Sequence, residues 1–458
     1  MVFCGIDIGT TNIKGVLIDA EGKLVDRVSM PARSAQNDIK TSCWYKRFCD
    51  ILDHFSSKGH FSDTSITCSI TAQGGSFILL DEEFNPVSRA YSWTENADDT
   101  TVQDLINVFG VESYYQKTGW EPNSWLMACK LKNLLSKKQM SENAIYIATV
   151  PDFIYSQITG KFITDITNAQ ITGLCDFRNS GWDKNILSWV GIDDSFLPQI
   201  SNSLSILCEN VKTQWGTINF VTSSHDQYAA MQAAGLVPKE NVMLGTGTAW
   251  VINSRSCEPL FDNNGYQTHP GRDIVNDYYG NIIGLGPVGA VFDLLLERLS
   301  VTKSQLAKFQ IDFDNNDLVD HPIRLEDESL VNEVDCKKLI KNYMLYYAAS
   351  ATFILERFGF LKKLDKIVMS GGATGSHFWP KIIADLCGKT VEAFNFSEFT
   401  AYGAALHAMS AFGGSQTDPV PLQLIDSKCY EHDVESRYHH WYTHLQKPML
   451  EGFLDKQK

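Results

Sequence analysis

The stretch GIDIGTTNIK, residues Gly5–Lys14, opens the chain with two apolar segments on either side of a Gly/Thr turn. The alternation of apolar and polar residues around it predicts strands over Val2–Ile8, Lys14–Ile18 and Leu24–Met30. Strands joined by such short turns are antiparallel neighbours, whereas a parallel pair needs a long crossover. The fold is therefore expected to begin with a three-stranded meander and not with a β-α-β unit.

The same pattern returns in the middle of the chain. Residues Val242–Ile252, VMLGTGTAWVI, again form an apolar segment, a Gly/Thr turn and a second apolar segment. A third apolar segment, Lys366–Ser370, ends in Gly371 and Gly372 before a helix predicted over Phe378–Leu386. Three glycine-rich turns that each follow an apolar strand indicate a duplicated α/β fold with a split nucleotide site.

The length of the chain favours two domains, because 458 residues exceed what one hydrophobic core usually serves. The boundary is predicted where a small-residue helix, Ala229–Leu236, ends and an apolar segment restarts at Val242. This gives an N-terminal domain over residues 1–237 and a C-terminal domain over residues 238–458. A ligand is then expected in the cleft between the domains, held by their two similar turns.

Composition disfavours several classes of protein. Apolar residues make up 44% of the chain and charged residues 20%, and no apolar run approaches the roughly 20 residues of a membrane span. A formal charge of −15 without a basic run disfavours nucleic acid and anionic membranes as partners. The 11 cysteines are scattered and the first residues lack a basic signal-peptide region, so we expect reduced thiols and a cytoplasmic location.

The two Gly/Thr turns have the residue types that bind phosphate. Glycine lets a backbone approach a ligand closely, and converging N–H and hydroxyl groups make an anion site. Lys14 adds a cation near the first turn, and Asp7, at a strand end, is a candidate ligand for magnesium. Ordinary hairpins use the same residues for backbone conformation alone, so neither turn decides the function by itself.

Five motifs occur in an order and spacing that is more specific than any one of them. They are D-x-G-T-T-x-x-K at Asp7–Lys14, D-x6-T-G-x3-T-D-x2-N-A at Asp152–Ala169, S-H-D-Q at Ser224–Gln227, G-T-G-T at Gly245–Thr248 and S-G-G-A-x-x-S at Ser370–Ser376. With this set the chain resembles the FGGY family of carbohydrate kinases over nearly its whole length. The resemblance implies duplicated actin/hexokinase-like (ribonuclease H-like) domains and ATP-dependent phosphorylation of a sugar hydroxyl, with Mg²⁺.

Asp226 is the catalytic residue that the resemblance implies. A sugar hydroxyl needs a carboxylate to accept its proton as it attacks the γ-phosphate, and an Asp with its ordinary pKa of about 4 is already ionised. The residue also precedes a helix predicted to start near Tyr228, so it is interpreted as an N-cap as well. His225 is expected to support it through a hydrogen bond rather than to act as the base.

The remaining site residues are likewise carried over from the family. Expected nucleotide-binding residues lie in the glycine-rich turns: Thr10, Thr11, Asn12, Lys14, Gly245, Thr246, Gly247, Gly289, Gly371, Gly372 and Ser376, with Asp7 at the metal. Expected sugar-binding residues combine aromatic faces with polar groups: Gln73, Gly74, Trp93, Glu95, Trp125 and Asp226. For either tryptophan alone, packing in the core is an equal interpretation.

The sugar side departs from the family patterns. Glycerol kinases have Arg-Glu and many pentulose kinases Met-His where this chain has Gly74-Gly75, and the common W-x-D becomes W-T-E at Trp93–Glu95. Glycerol is therefore not expected. Ser376, as in the xylulokinase type, favours a ketose such as xylulose or a related pentulose or hexulose. Gluconate or a deoxyketose (rhamnulose, fuculose) stay open, and the family makes a homodimer the expected assembly.

Rival interpretations rest on other patterns. Gly284–Gly289 is a formal G-x-G-x-x-G, with Asp312 about where a ribose-binding acid would lie, which would indicate an NAD-dependent dehydrogenase. Pro287 in the turn and the mid-chain position weaken it. His440 and His444 have zinc-ligand spacing without a third ligand. An actin-like ATPase, or a relative that binds sugar or nucleotide without catalysis, would share the Gly/Thr turns.

Overall fold

The computed structural model describes residues 1–32, 41–61, 65–275, 277–313, 336–413 and 427–455. The strands within these residues are β1 (Val2–Ile8), β2 (Asn12–Ile18), β3 (Leu24–Pro31), β4 (Ile66–Ala72), β5 (Phe77–Leu80), β6 (Tyr146–Thr149), β7 (Ile163–Asp165), β8 (Cys175–Asp176), β9 (Gly181–Trp182), β10 (Gln199–Ser201), β11 (Ile206–Thr213), β12 (Gly216–Val221), β13 (Ser224–His225), β14 (Asn241–Thr246), β15 (Trp250–Ser256), β16 (Thr268–Arg272), β17 (Tyr279–Gly286), β18 (Lys366–Gly371), β19 (Thr390–Phe394) and β20 (Lys428–Tyr430).

The helices alternate with these strands along most of the chain. They are α1 (Thr41–Ser57), α2 (Asp99–Phe109), α3 (Val111–Thr118), α4 (Met127–Ser136), α5 (Val150–Thr159), α6 (Ile166–Gln170), α7 (Lys184–Val190), α8 (Asp226–Ala233), α9 (Val288–Arg298), α10 (Lys303–Phe313), α11 (Cys336–Arg357), α12 (Phe378–Cys387), α13 (Phe399–Gly413), α14 (Arg437–Trp441) and α15 (Lys447–Asp455). Short 3₁₀ turns lie at Asp194–Phe196, Phe360–Lys362 and Gly372–Gly375, and a π turn lies at Tyr442–Gln446. No helix within the described ranges is long and apolar enough to cross a membrane.

The first large sheet begins with the predicted meander. Its strand order is β11-β12-β4-β1-β2-β3, and β13 pairs with the end of β4. Strands β1, β2 and β3 are successive antiparallel neighbours, while β4 runs parallel to β1. Asp7 at the end of β1 is directly opposite Lys14 on β2. The sequence prediction of three antiparallel strands is confirmed, and it places the Gly/Thr turn at the edge where β1 and β4 both end.

The second large sheet repeats this arrangement. Its strand order is β16-β17-β15-β14-β18-β19-β20. Strand β14 is antiparallel to β15 and parallel to β18, as β1 is antiparallel to β2 and parallel to β4. The turn between β14 and β15 therefore corresponds to the turn between β1 and β2. The internal repeat seen in the sequence is thus a repeat of strand pairing.

The described chain folds as two compact units that are each discontinuous in sequence. The first unit comprises residues 1–235, 255–281 and 398–424, and the second comprises residues 236–254, 282–397 and 425–458. The first change of unit lies close to the predicted boundary at residue 237. The chain later returns to the first unit twice, at residues 255–281 and 398–424, which the sequence did not predict. The two consecutive domains, residues 1–237 and 238–458, remain a prediction.

Glycines allow the third stretch of the first unit to pack closely on the sheet. A Cβ atom at Gly5 would lie 2.0 Å from the carbonyl oxygen of Ala401 on α13. A Cβ atom at Gly403, on the same helix, would lie 1.9 Å from the carbonyl oxygen of Ala229 on α8. Backbone thus meets backbone on both sides of α13. The close packing expected of Gly403 is confirmed, and α13 lies between the sheet and α8.

Candidate active site

Asp226 is the first residue of helix α8. The preceding strand β13 pairs with β4, so the chain leaves the sheet at His225 and becomes helical at once. His225 occupies the N-cap position, and no side chain caps the helix. The interpretation of Asp226 as an N-cap is therefore wrong, because strand pairing starts the helix two residues before Tyr228. The carboxylate instead accepts a hydrogen bond of 3.3 Å from the Gln227 side chain.

Burial sets the protonation of both residues at this helix start. It raises the pKa of Asp226 to about 6, although 28% of the side chain remains exposed. It lowers the pKa of His225 to about 4, so the imidazole is neutral near pH 7. Nε2 of His225 lies 3.2 Å from Oδ1 of Asp226. Asp226 is thus a stronger base than an ordinary aspartate, and His225 is placed to orient it.

Asp7 is a second carboxyl close to Asp226. It is 7% exposed, and burial raises its pKa to about 7. The charge of Lys14 opposes that rise, while the charge of Asp226 adds to it. Two such carboxyls fit Mg²⁺, which binds through one or two carboxylates, water and substrate phosphates rather than in an all-protein cage. The described residues contain no cluster of three or more acidic, histidine or cysteine ligands, and this mode of binding requires none.

The T-D-x-x-N-A motif holds the backbone segment that precedes Asp226 through buried hydrogen bonds. Asp165 is fully buried and accepts hydrogen bonds from the Thr167 hydroxyl at 2.9 Å and the Asn168 backbone at 3.0 Å. The Thr167 hydroxyl oxygen in turn accepts from the His225 backbone N–H at 2.9 Å. This relay fixes the backbone immediately before Asp226. The motif therefore supports the backbone that leads into Asp226.

The residues of the D-x6-T-G motif begin and end helix α5. Asp152 is fully buried and closes a capping box with Thr149 at the start of α5, where its carboxylate accepts from the Thr149 backbone and hydroxyl. Gly160 ends the same helix with a φ of +66°. These residues are needed for the helix to begin and end where it does. They explain why the motif accompanies the fold and assign it no chemistry.

The Thr10 hydroxyl joins the first turn to the residues expected on the sugar side. It donates to Oε1 of Gln73 and accepts from the indole N–H of Trp93 at 3.2 Å. Thr11, beside it, is exposed, and Asn12 is half-buried. The structure thus brings Gln73, Trp93 and the turn together. In this arrangement Thr11 has the more accessible hydroxyl of the two threonines.

Gly74 and Gly75 are both positions where a side chain would be costly. A Cβ at Gly74 would lie 2.5 Å from Nε2 of His225, so this backbone is pressed against the residue that precedes Asp226. Gly75 has a φ of +74°, a conformation that favours glycine. Its Cβ position is 3.4 Å from Cβ of Trp93 and 3.8 Å from the ring of Trp125. Both predicted tryptophans therefore lie beside this glycine turn.

Glu95 is held by a neighbouring arginine. Arg89 donates to both of its carboxylate oxygens, at 2.7 Å and 2.6 Å, and the Ser92 backbone donates at 3.0 Å. The hydrogen bonds from Arg89 lower the pKa of Glu95, which is therefore ionised at neutral pH. The sequence prediction placed this carboxylate on the sugar. The structure shows that its first contacts order the loop that contains Trp93.

The second Gly/Thr turn is tied to the paired glycines. The Thr246 hydroxyl is buried, donates to the Ser370 carbonyl at 2.6 Å and accepts from the Ala373 backbone at 3.3 Å. Gly371 has a φ of +98°, and a Cβ there would lie 2.6 Å from the backbone of Thr246. Gly247 is exposed at the tip of the turn. Backbone N–H groups, rather than the Thr246 hydroxyl, are what this turn offers to a phosphate.

Helix α9 rests on the same turn. A Cβ at Gly289 would lie 2.0 Å from the Gly247 carbonyl oxygen, and the Ala290 backbone donates to the Thr248 carbonyl at 3.0 Å. Asp312 lies in helix α10 and not at the end of a strand, where a ribose-binding acid must lie. The dinucleotide-binding interpretation of Gly284–Gly289 is therefore wrong.

Ser376 caps a helix of the second unit. Its Oγ accepts from the backbone N–H groups of Phe378 at 3.1 Å and Trp379 at 3.3 Å. A cavity of about 380 Å³ opens beside it, lined by residues 374–377 together with Ala393, Asn395, Ser427, Lys428 and Tyr430. Ser376 is thus placed at a concave surface, although its hydroxyl is already used by the helix.

Two models of one family match this chain. The model described as the N-terminal domain of the FGGY family of carbohydrate kinases matches residues 2–232, and that of its C-terminal domain matches residues 347–412. The chain belongs to this family. The predicted carbohydrate kinase, a phosphotransferase acting on a sugar alcohol group, is confirmed by that membership. The FGGY kinase thereby also has the predicted actin/hexokinase-like fold.

Curated relatives and solved structures of similar proteins span nearly the whole FGGY kinase. A xylulose kinase of Staphylococcus xylosus is 23% identical, with 88% of this chain and 89% of the relative covered. An apulose kinase of Pectobacterium atrosepticum is 21% identical, with 98% of each covered. A xylulose kinase structure from Rhodospirillum rubrum has a TM-score of 0.86 at 17% identity, covering 100% of this chain and 99% of the other. Structural similarity at this identity establishes the fold of the FGGY kinase.

Sequence reasoning assigned no role to Lys130, a buried charged residue. Lys130 on α4 is 5% exposed and donates to the backbone carbonyls of Gly75 and Ser92. The signal that pointed to it was a lysine within the apolar run Leu126–Leu135.

The histidine pair His440 and His444 has ring centroids 4.4 Å apart, and no third ligand joins it within the described residues.

Proposed function

We propose that this kinase uses ATP and Mg²⁺ to phosphorylate a hydroxyl of a ketose, with xylulose or a related pentulose or hexulose as the substrate. The observation that carries the proposal is the carboxyl of Asp226, which begins α8 beside His225 and near Asp7 and has a pKa of about 6. The xylulose kinase of Staphylococcus xylosus, similar along 88% of the chain, supports the choice of sugar.

Asp226 is the proposed general base. As the sugar oxygen attacks the γ-phosphorus, its O–H bond breaks and the proton passes to the carboxylate. A new O–P bond forms, the bond from the γ-phosphorus to the bridging oxygen breaks, and ADP leaves with that oxygen. A carboxylate with a pKa of about 6 is mostly ionised at pH 7 and more basic than an ordinary aspartate. The neutral His225 ring orients the base without competing for the proton.

We propose nucleotide-binding roles for the three glycine-rich turns. In the first unit, backbone N–H groups and the Thr11 hydroxyl would contact phosphate, with Thr10, Asn12 and Lys14 around them. The second unit would contribute the following residues: Gly245, Thr246, Gly247, Gly289, Gly371, Gly372 and Ser376. Asp7 would hold the magnesium ion, which, when bound, neutralises charge on the phosphate oxygens.

The sugar-binding roles are proposed for the side chains around the glycine turn. Gln73 would bind a hydroxyl, and the Trp93 and Trp125 faces would pack on the C–H side of the sugar. Gly74 would leave room beside Asp226, and Glu95 would act from its ion pair with Arg89.

The identity of the sugar is tested by release of ADP across ketopentoses, ketohexoses, deoxyketoses, sugar acids and polyols. Fastest turnover of a ketopentose or ketohexose supports the proposal. Preference for gluconate, named for a similar structure from Lactobacillus acidophilus, or for rhamnulose, named for a relative from Enterococcus faecalis, would reassign the substrate class. Binding of sugar and ATP without turnover would instead indicate a non-catalytic relative.

Asp226→Asn tests the base directly. Removing the proton acceptor should lower kcat for sugar phosphorylation by about a hundredfold or more, while ATP binding is retained. Asp176→Asn, a change at a half-buried aspartate on strand β8, is the control and should leave kcat unchanged. Near-normal turnover in a folded Asp226→Asn protein would overturn the assignment.

We propose a cytoplasmic location and a homodimeric assembly. The ten cysteines whose side chains are described are all free thiols, which supports a reducing, cytoplasmic compartment. A homodimer follows from the family resemblance alone. Light scattering of the purified chain measures the assembly.

A further inference from the structure

The ammonium group of Lys130 is buried between two loops of the first unit. Its Nζ donates to the carbonyl oxygen of Gly75 at 3.0 Å and to that of Ser92 at 2.8 Å. The same group lies 5.8 Å from the centre of the Phe77 ring. Lys130 itself is on helix α4, so a rigid element supplies one cation to two separate loop backbones.

A buried lysine is costly unless its charge is compensated. Burial lowers the pKa of Lys130 to about 8. The charge of Glu95 acts on Lys130 in the opposite direction and raises its pKa, but Arg89 already holds both oxygens of that carboxylate. The hydrogen bonds of Lys130 therefore go to backbone carbonyls rather than to an acid. Burying the charge lowers the stability of the fold. In return, the charge-assisted hydrogen bonds fix the positions of the two loops.

The two loops are those that contain the proposed sugar-binding residues. Gly75 directly follows Gln73-Gly74, where the backbone is pressed against His225. Ser92 directly precedes Trp93, whose indole N–H donates to the hydroxyl of Thr10. Displacing either carbonyl would move a residue in contact with the helix start at Asp226 or with the first phosphate turn.

We propose that Lys130 is a positioning residue of the sugar site, which sets the distance between the Gln73–Ser76 turn and the Tyr91–Glu95 loop. The proposal rests on the proposed function for the identity of that site. It assigns Lys130 no contact with the sugar or with ATP. Its expected effect is therefore on the affinity for the sugar, transmitted through the two loops.

The experiment compares three variants. Lys130→Met keeps the length of the side chain but removes the donors, and Lys130→Arg restores a cation. Lys132→Met is the matched control, because Lys132 is on the same helix and donates to the Trp189 carbonyl at 2.6 Å, away from both loops. The sugar KM and the ATP KM are measured with the sugar that the wild-type enzyme turns over fastest.

Lys130→Met should raise the sugar KM about tenfold or more, the scale of a lost hydrogen bond to a charged group. The ATP KM should change by less than about twofold, and Lys130→Arg should recover part of the loss. Lys132→Met should leave both constants unchanged. An unchanged sugar KM in folded Lys130→Met would overturn the proposal, as would a parallel rise of both constants that tracks the loss of thermal stability.

A second measurement separates this proposal from the proposed function. If the wild-type chain phosphorylates no sugar of the panel, the proposed function fails while the position of the loops can still be measured. Hydrogen exchange of the amides in residues 73–76 and 91–95 should then be faster in Lys130→Met than in Lys132→Met. Equal exchange in the two variants would show that Lys130 does not hold these loops.

Discussion

At the scale of single residues, the proposed chemistry depends on two carboxyls that burial has made unusually basic. Asp7 and Asp226 have pKa values of about 7 and 6, and the charge of Asp226 adds to the rise in the pKa of Asp7. In the proposed reaction, a magnesium ion or a proton taken from the sugar would relieve the repulsion between the two carboxylates. His225, with a pKa of about 4, stays neutral between pH 6 and 7 and therefore does not titrate together with the two carboxyls.

The first prediction is a fall in activity at acid pH. The base must be ionised to accept a proton, so kcat/KM for the sugar should reach its plateau above about pH 7, be about half-maximal near pH 6 and fall further at lower pH. The two carboxyls interact, so the measured value belongs to the pair. A pH profile under saturating ATP and Mg²⁺ tests this. A flat profile down to pH 4.5 would contradict the assignment of Asp226 as the base.

Residue contacts were the part of the site that the sequence could not supply. The motifs located Asp7, Thr10 and Asp226 because their neighbours along the chain are distinctive. The Thr10 hydroxyl, however, bonds to Gln73 and Trp93, and the distance in sequence between these residues hides the contact. The raised pKa of Asp226 was missed for the same reason, since burial depends on elements far away along the chain.

At the scale of secondary structure, the helix α13 packs without side chains at its two closest contacts. Gly403 meets Ala229 on α8, and Gly5 on β1 meets Ala401 on α13. The elements on either side of these contacts are α8, which begins at Asp226, and β1, which contains Asp7. The packing of one helix thus controls the positions of both carboxyls.

The second prediction concerns this contact. Alanine is a better helix former than glycine by about 1 kcal/mol, whereas overpacking costs about 1–3 kcal/mol. A Cβ of Gly403→Ala 1.9 Å from a backbone oxygen finds no relief in a side-chain rotamer, so the clash wins. The variant should lower the free energy of unfolding in urea and also lower kcat. Gly413→Ala, at the end of the same helix with open space around it, should do neither. Equal stability of the two variants would contradict the packing argument.

The elements themselves were predictable where the pattern is local. The meander β1–β3 follows from alternation and short turns, and helix α12 buries Phe378, Ile382 and Leu386 as its spacing predicts. The start of α8 was placed too late, because pairing of Ser224–His225 with β4 decides it. Contacts with residues distant in sequence therefore decide features of helices and of single residues that the local sequence does not predict.

At the scale of the whole molecule, the first unit is assembled from three separated stretches of chain. Its middle stretch contains a buried ion pair whose arginine also bonds to helix α8. Arg255 donates to Asp273 at 3.0 Å and 2.9 Å and to Gln232 on α8 at 3.2 Å, with the two charged side chains 1% and 0% exposed. Arg255 thus connects the stretch 255–281 to the same helix that Gly403 contacts.

The third prediction follows from that pair. Arg255→Met leaves the Asp273 carboxylate buried without its cation, which should cost about 3–5 kcal/mol in the free energy of unfolding. Arg255→Met combined with Asp273→Leu should recover most of that loss, because no uncompensated charge remains. Urea unfolding of the three proteins tests this. A double variant no more stable than Arg255→Met alone would contradict the explanation by charge burial.

The backbone contact between Gly5 and α13 has a consequence for biosynthesis. Strand β1 ends at Ile8, whereas the helix that covers it runs from Phe399 to Gly413, so the strand is synthesised long before its cover. The nascent first unit therefore exposes the α13-facing side of this strand until residues 399–413 have been translated. Late closure of this kind ties the completion of the first unit to the synthesis of its third stretch.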